Sequence, residues 1–332
     1  MIRKGDLMKT FWFVIPCYNE EEMLPLSLPV FLNKLDSLIA RGKISPESKV
    51  ALVNDGSKDK TWSLIRGYHE NDSRVVGITL AHNRGHQSAL YAGLMTARDY
   101  ADVTVSIDAD LQDDIDAVDG MVDAYLEGAD IVFGVRSSRK TDTFFKRATA
   151  EGFYKVMEKM DVKTVFNHAD FRLMDKRALD ALAEYGEESL FLRGIAVDIG
   201  FETAVVTYER KQREAGESKY PLKKMLQLAL NGITSFSTKP LGINLLMALL
   251  SGVLFLTFTL VAIICAAVAH SNGYGDFYNF EYSLFFGLLA GLFFFGTMVF
   301  TSLWVMGLYI GRTYMESKRR PRYVIADVLY KK

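Results

Sequence analysis

Two stretches of the chain carry no Asp, Glu, Lys or Arg: Pro240 to Gly275 and Tyr282 to Gly311. A helix crosses the hydrocarbon of a bilayer with about 20 apolar residues, and both stretches exceed that. Buried core helices rarely run so far without one charge, so the pair is predicted to be two transmembrane helices, over 243–269 and 283–310. Lys219, Lys223, Lys224 and Lys239 precede the first; Lys318, Arg319, Arg320 and Arg322 follow the second. The connecting HSNGYGDFYNFEY holds Asp276 and Glu281 and no Lys or Arg. By the excess of Lys and Arg on the inner side, both termini are expected in the cytoplasm, with the loop outside an inner or plasma membrane. Tyr274, Phe277, Tyr278 and Tyr282 suit the outer interface.

This divides the chain into a cytoplasmic soluble domain over 1–218, a connecting helix over 219–239, a hairpin over 240–312 and a basic cytoplasmic tail over 313–332. In the connecting segment Leu222, Met225, Leu226, Ala229, Leu230, Ile233 and Phe236 recur at helical spacing, opposite Lys223, Lys224, Gln227 and Asn231. That reads as an amphipathic helix on the bilayer surface, or one packed on the soluble domain. A net charge of −1 provides no excess of cations for nucleic acid. Of the two cysteines, Cys265 lies in an apolar span, so a disulfide with Cys17 is not expected; a reducing compartment fits. Met1 to Lys9 is polar, with no apolar secretory core.

In the soluble part, β-rich runs alternate with helical patterns. FWFVIP (Phe11 to Pro16) precedes a helical stretch from Glu20 to Ala40, VALVND (Val50 to Asp55) one opening near Lys58, and VVGITL (Val75 to Leu80) one from His86 to Asp99. VTVSID (Val103 to Asp108) and DIVFGV (Asp130 to Val135) follow. Such alternation predicts an α/β domain with a mainly parallel sheet. Ligands of such sheets sit beyond the carboxyl ends of the strands, where CYNEEE, NDGSKDKT, NRGHQ and DADLQDD fall. The first turn is acidic and lacks the G-x-G-x-x-G of a dinucleotide site, and there is no G-x-x-x-x-G-K-[ST] loop of an ATPase.

Within DADLQDD, residues two apart on an extended chain face the same way. Asp108 and Asp110 can therefore converge as hard oxygen donors for Mg²⁺ or Mn²⁺, which complete their shells with water and substrate phosphates. Gln112 lines the same edge. Asp113 and Asp114 read as residues of the next helix N-terminus, favoured there by the macrodipole. A phosphatase with a nucleophilic Asp on its first strand is excluded, because that strand has none.

IPCYNEEE, VNDGSKDKT, NRGHQSALYAGL and DADLQDD, followed by ADFRLMD, FLRG and GESKYPLKKMLQLALNGITSFSTKPL, resemble family 2 glycosyltransferases of GT-A fold. With two terminal spans, the chain is similar to the polyprenyl-phosphate glycosyltransferases, the GtrB and dolichyl-phosphate mannose synthase group. Ile115 stands where that group usually has proline. The resemblance implies a GT-A catalytic domain over 1–218 and inverting transfer of a hexose from a nucleotide sugar to polyprenyl phosphate. Glucose from UDP-glucose is the leading donor; UDP-N-acetylglucosamine, UDP-galactose and GDP-mannose stay open. It also implies Mg²⁺ or Mn²⁺ on Asp108 and Asp110 with Gln112 near, and a nucleotide pocket of Pro16, Tyr18 and Glu20 with Asp55 on the base. Tyr18 could instead fill the strand end, and Asp55 cap the next helix.

The acceptor is an anion at neutral pH, so it needs positioning more than a base. Guanidinium groups suit that. The family pattern selects Arg136 and Arg147 for the phosphate, assisted by Lys219. Arg139 and Lys146 read as a solvated basic strip. Asp170 is either a base, an organiser of the acceptor site, or the ion-pair partner of Arg172. Arg210 and Arg213 form a possible lid. His82 and His86 lack partners at metal-ligand spacing, and His168 reads as a surface or packing residue. The resemblance further implies a homo-oligomer, a tetramer in the family, and a flippase and outward-facing glycosyltransferase as partners, supplying a cell-envelope glycan. A processive synthase is excluded: there is no Q-x-x-R-W and there are too few spans. A non-catalytic, membrane-anchored sugar-nucleotide binder remains as the rival from another class.

Overall fold

The computed structural model describes residues 8–137, 168–187, 191–210, 237–271 and 277–331. They fall into two compact units, 8–210 with 319–331, and 237–318.

The first unit is an eight-stranded sheet of order β7-β5-β6-β4-β1-β2-β3-β8. Strands β1 (Phe11–Cys17), β2 (Lys49–Asn54), β3 (Val75–Leu80) and β4 (Val103–Ser106) are buried along their whole length. Continuous apolar runs of this kind suit parallel strands covered on both faces, and β4, β1, β2 and β3 pair in parallel. Their crossovers are α1 (Leu24–Ala40), α2 (Thr61–Asn71) and α3 (His86–Arg98). A Cβ on Gly93 of α3 would come within 2.6 Å of Val14 and Val53 side-chain atoms, so only glycine lets this helix lie so close to β1 and β2. Helix α4 (Ala117–Glu127) leads into β5 (Ile131–Arg136), which pairs in parallel with β7 (Thr203–Tyr208). Two short helices, α5 (Lys176–Glu184) and α6 (Leu192–Asp198), join β6 to β7.

Three features depart from the sequence expectations. Helix α1 begins at Leu24 rather than Glu20, because Pro25 suits a first helical turn and Asn19 takes φ +54°, leaving CYNEEE as a turn. Likewise α2 opens at Thr61 rather than Lys58, after Asp59 has accepted the Thr61 amide and hydroxyl. Strand β6 (His168–Asp175) runs antiparallel between β4 and β5. Its first residues therefore lie at the rim where β4 and β5 end, a placement that alternation alone does not reveal.

The segment expected as a basic tail supplies β8 (Ile325–Leu329), antiparallel to β3. Lys49 Nζ donates to the Lys331 carbonyl at 2.9 Å, and Lys331 Nζ to the carbonyls of His69 and Glu70 at the end of α2. Tyr330 packs on Tyr100, ring centroids 4.6 Å apart. This strand covers the otherwise open edge of β3. Truncation after Arg322 is accordingly expected to cost roughly 2 kcal/mol or more of stability, read as a lower unfolding temperature and greater aggregation of the truncated protein than of the full-length one in detergent.

The second unit comprises α7 (Lys239–Ser271) and α8 (Phe277–Ser317). Within them Lys239–Thr257 and Gly287–Ser317 are long and apolar enough to cross a membrane. Leu246, Leu256, Leu292, Phe293 and Phe300 are exposed, which suits lipid rather than a protein core. The expected helix over 219–239 lies outside the described residues up to 236, as does Tyr274.

Candidate active site

The ends of β1 and β2 are stitched together. Asn19 N–H donates to Ser57 Oγ, Lys58 N–H to Asn19 Oδ1, and Glu20 N–H to Thr61 Oγ1. Pro16 is buried at this end, and Tyr18 and Glu20 are half-buried beside it. Asp55 is buried and accepts the amides of Arg84 at 2.7 Å and Gly85 at 2.9 Å, one on each carboxylate oxygen. Burial pushes its carboxyl up from the ordinary value while those amides pull it down, with the upward effect the larger. Asp55 thus fastens the NRG turn that opens α3, not α2, the helix immediately after it. Gly56 has φ +61°, and a Cβ there would meet the Asn83 nitrogen at 2.6 Å. The four expected nucleotide-pocket residues thus share one end of the sheet.

Beyond β4, Leu111 takes φ +53° and folds the chain back, with Gln112 N–H donating to Asp110 Oδ1 at 3.2 Å. The Asp108 side chain is 39% exposed. Its carboxyl is pushed up to about 6, first by desolvation, then by the charges of Asp113, Asp110 and Asp170, against the pull of His86. A carboxylate surrounded by like charge gains from a cation. Among the described residues no three His, Cys, Asp or Glu side chains form a protein cage for a metal. Mg²⁺ and Mn²⁺ need only one or two carboxylates if substrate and water supply the rest, so the pair Asp108 and Asp110 fits such an ion. Gln112, expected beside the metal, has its Oε1 taken by Arg210 Nη2.

Asp113 does not begin a helix. Helix α4 opens at Ala117, while Asp113 is buried and accepts Tyr208 Oη at 2.6 Å and Arg136 Nη2 at 3.2 Å. For this buried carboxylate the guanidinium at the strand end outweighs the macrodipole of a helix that starts four residues on. Asp114 lies in the turn before α4, accepting the Asp116 amide at 3.4 Å.

Asp170 opens onto the same rim. Arg193 grips both its oxygens through Nε and Nη2, Arg172 Nη2 donates to it at 3.1 Å, and Gln87 Nε2 at 3.2 Å. His86 Nε2 stands 3.4 Å from Asp170 Oδ2 and 3.6 Å from Asp108 Oδ1. Burial alone would raise the Asp170 carboxyl, but Arg193, His86 and Arg172 hold it well below the ordinary range. A carboxylate held that low is a poor proton acceptor at neutral pH; in the structure it fixes three cationic groups. Arg172 is fully buried and also donates to the Leu192 carbonyl. Desolvation lowers it to about 10 despite Asp170. His86 is moved up to about 9: burial pulls it down, and Asp170 and Asp108 more than reverse that.

Of the expected acceptor-binding groups, Arg136 lies at this rim, while Arg147 and Lys219 lie outside the described residues, as does Arg213 of the expected lid. Sequence reasoning missed His86 and Arg193. Each sits inside a quoted motif, NRGHQ and FLRG, but no spacing rule joins residues that α3 and α6 bring to one carboxylate on β6.

Residues 12–183 match the family model of glycosyl transferase family 2. An uncharacterized glycosyltransferase of Bacillus subtilis strain 168, YkoT, is 46% identical over 96% of this chain and 91% of its own length. A prophage bactoprenol glucosyl transferase homolog of Escherichia coli K12 is 36% identical over 95% of this chain and 98% of its own. The bactoprenol glucosyl transferase of Shigella phage SfV is 37% identical over 95% and 97%.

Proposed function

The chain belongs to glycosyl transferase family 2, and on that premise we propose that it moves a hexose, with inversion, from a nucleotide sugar to polyprenyl phosphate at the cytoplasmic membrane face. UDP-glucose as donor and undecaprenyl phosphate as acceptor are the leading assignments, supported by similarity to bactoprenol glucosyl transferases. The observation that carries the reading is one rim that gathers both signs of charge: Asp108 and Asp110 on the loop beyond β4, with Arg136 bonded to Asp113 of that loop and Arg193 to Asp170.

A divalent ion on Asp108 and Asp110 would neutralise the departing nucleoside diphosphate as a Lewis acid. The chain itself binds and orients. Pro16, Tyr18, Glu20 and Asp55 frame the nucleotide end, and Arg136 offers a guanidinium to the acceptor phosphate. Arg210, beside Gln112, serves as the described part of a lid. Asp170 takes the organising role, because its proton affinity is spent on three cations.

Membrane anchoring fits the chain path. The sheet takes β7 before the apolar helices and β8 after them, so the spans must be even in number to return the chain to the compartment it left. Product made on that side requires a flippase and an outward-facing transferase to consume it, and a homo-oligomer belongs to the same reading.

The test is a donor panel: purified full-length protein, undecaprenyl phosphate, Mg²⁺ or Mn²⁺, and radiolabelled UDP-glucose, UDP-N-acetylglucosamine, UDP-galactose or GDP-mannose. Label is expected in the lipid extract with UDP-glucose. Binding without transfer from any donor would leave the non-catalytic binder instead.

A further inference from the structure

The Asp113–Tyr208–Arg136 contact does more than neutralise a strand end. Arg136 closes β5 and Tyr208 closes β7, directly paired in register. Arg136 Nε donates to Tyr208 Oη at 3.3 Å, Tyr208 Oη donates to Asp113 Oδ1 at 2.6 Å, and Arg136 Nη2 donates to that same oxygen at 3.2 Å. The three bonds close a ring that uses the tyrosine hydroxyl as both acceptor and donor. Asp113 and Tyr208 are each 4% exposed, whereas the Arg136 side chain keeps 21%. Among the described residues Nη1 makes no hydrogen bond, so the ring holds one side of the guanidinium and leaves the other open.

A solvated strand-end arginine needs neither a buried carboxylate nor a buried phenol to be satisfied. Here both are present, and they come from different elements: Asp113 from the loop three residues past Asp110, Tyr208 from the end of β7. The Tyr208 ring packs edge-on against Phe171 with centroids 5.3 Å apart, so its packing is separable from its hydroxyl. We propose that Asp113 and Tyr208 are positioning residues for the reaction: they orient Arg136 so that its free edge meets the acceptor phosphate, and tie its bonded edge to the loop bearing Asp108 and Asp110. The inference rests on Arg136 as an acceptor-phosphate ligand. Ordering one long side chain in advance of binding is worth up to about tenfold in affinity, and charge-assisted bonds fix the direction as well as the distance.

The experiment measures KM for undecaprenyl phosphate and for the nucleotide sugar turned over in the donor panel, using full-length protein in detergent. Tyr208→Phe, which keeps the ring, and Asp113→Asn are expected to raise the acceptor KM about five- to tenfold and leave the donor KM within about twofold. The same changes made on top of Arg136→Lys are expected to add nothing further, because residues acting through one group are not additive. If their effects multiply with that of Arg136→Lys, they act on the fold at large and positioning is overturned. If Arg136→Lys raises the acceptor KM but Tyr208→Phe and Asp113→Asn do not, positioning fails while the ligand role of Arg136 stands. If Arg136→Lys itself leaves the acceptor KM unchanged, that role falls and takes the inference with it.

Discussion

Asp108→Asn is expected to slow sugar transfer by about a thousandfold without lowering the unfolding temperature of the protein in EDTA. The two halves of this result have one cause. Desolvation first, then the charges of Asp113, Asp110 and Asp170, push the Asp108 carboxyl up to about 6 against the pull of His86. A folded-state value above the unfolded one means that ionisation disfavours the fold, so stability falls as pH rises from about 4 through 6. Removing the charge relieves that repulsion, and the unfolding temperature stays level or rises. Asparagine, however, gives up the hard anionic donor that a divalent ion needs at the departing diphosphate. Asp110→Asn should behave alike in transfer. The measurements are initial rates across a Mg²⁺ or Mn²⁺ titration and thermal unfolding in chelator. Retention of more than a tenth of the rate at saturating metal would remove Asp108 from the reaction.

The parts of the fold legible in the sequence were those whose signal is local. Strands β1 to β5 are apolar runs bounded by turn residues, and a buried parallel strand has to read that way. The two long apolar helices announce themselves by length without charge. Strand β6 was not local in this sense. HADFRLMD carries Asp170 and a fully buried Arg172, charges that argue against a central strand until their partners are seen. Strand β8 follows the apolar helices after a basic run, and composition there speaks only of solvent and membrane surface.

The site divides the same way. Asp108 and Asp110 stand close in sequence, so a local motif was enough to single them out, although β4 ends at Ser106 and a turn rather than strand alternation carries them. The opposite conclusion about Asp113 followed from an equally sound local rule, helix N-terminal preference, which lost to a half-buried guanidinium from β5. His86 and Arg193 reach Asp170 from α3 and α6, over sequence separations no motif spans. For Asp170 the sequence left three roles open; its three cationic neighbours disfavour a base, and the organiser and the ion-pair partner of Arg172 are separated by the variants below.

Asp170→Ala is the second large effect, and it falls on stability as well as activity. Arg172 is 1% exposed, and its charge is met by Asp170 and the Leu192 carbonyl. Deleting one partner of a buried pair leaves the other uncompensated and costs about 3–5 kcal/mol, roughly 10 °C in unfolding temperature for a domain of this size. Replacing both is a different matter: Asp170→Ala with Arg172→Met removes the stranded charge and should recover most of that loss. Transfer should not recover with it, because Arg193 and His86 still lack the carboxylate that orients them. A double variant regaining both stability and rate would reduce Asp170 to an ion-pair partner of Arg172. The pH dependence separates the organiser from a base. The folded-state value of Asp170 is depressed, so its stabilisation is complete above the unfolded value near 4 and is lost only as pH falls through the lower, folded one. The stability gap between wild type and Asp170→Ala should therefore be widest between about pH 5 and 6, closing in stronger acid as Asp170 takes its proton and narrowing from about 6.5 towards 9 as His86, which Asp170 helps to hold protonated, loses its own; a gap already changing between pH 5 and 6 would point to a base instead.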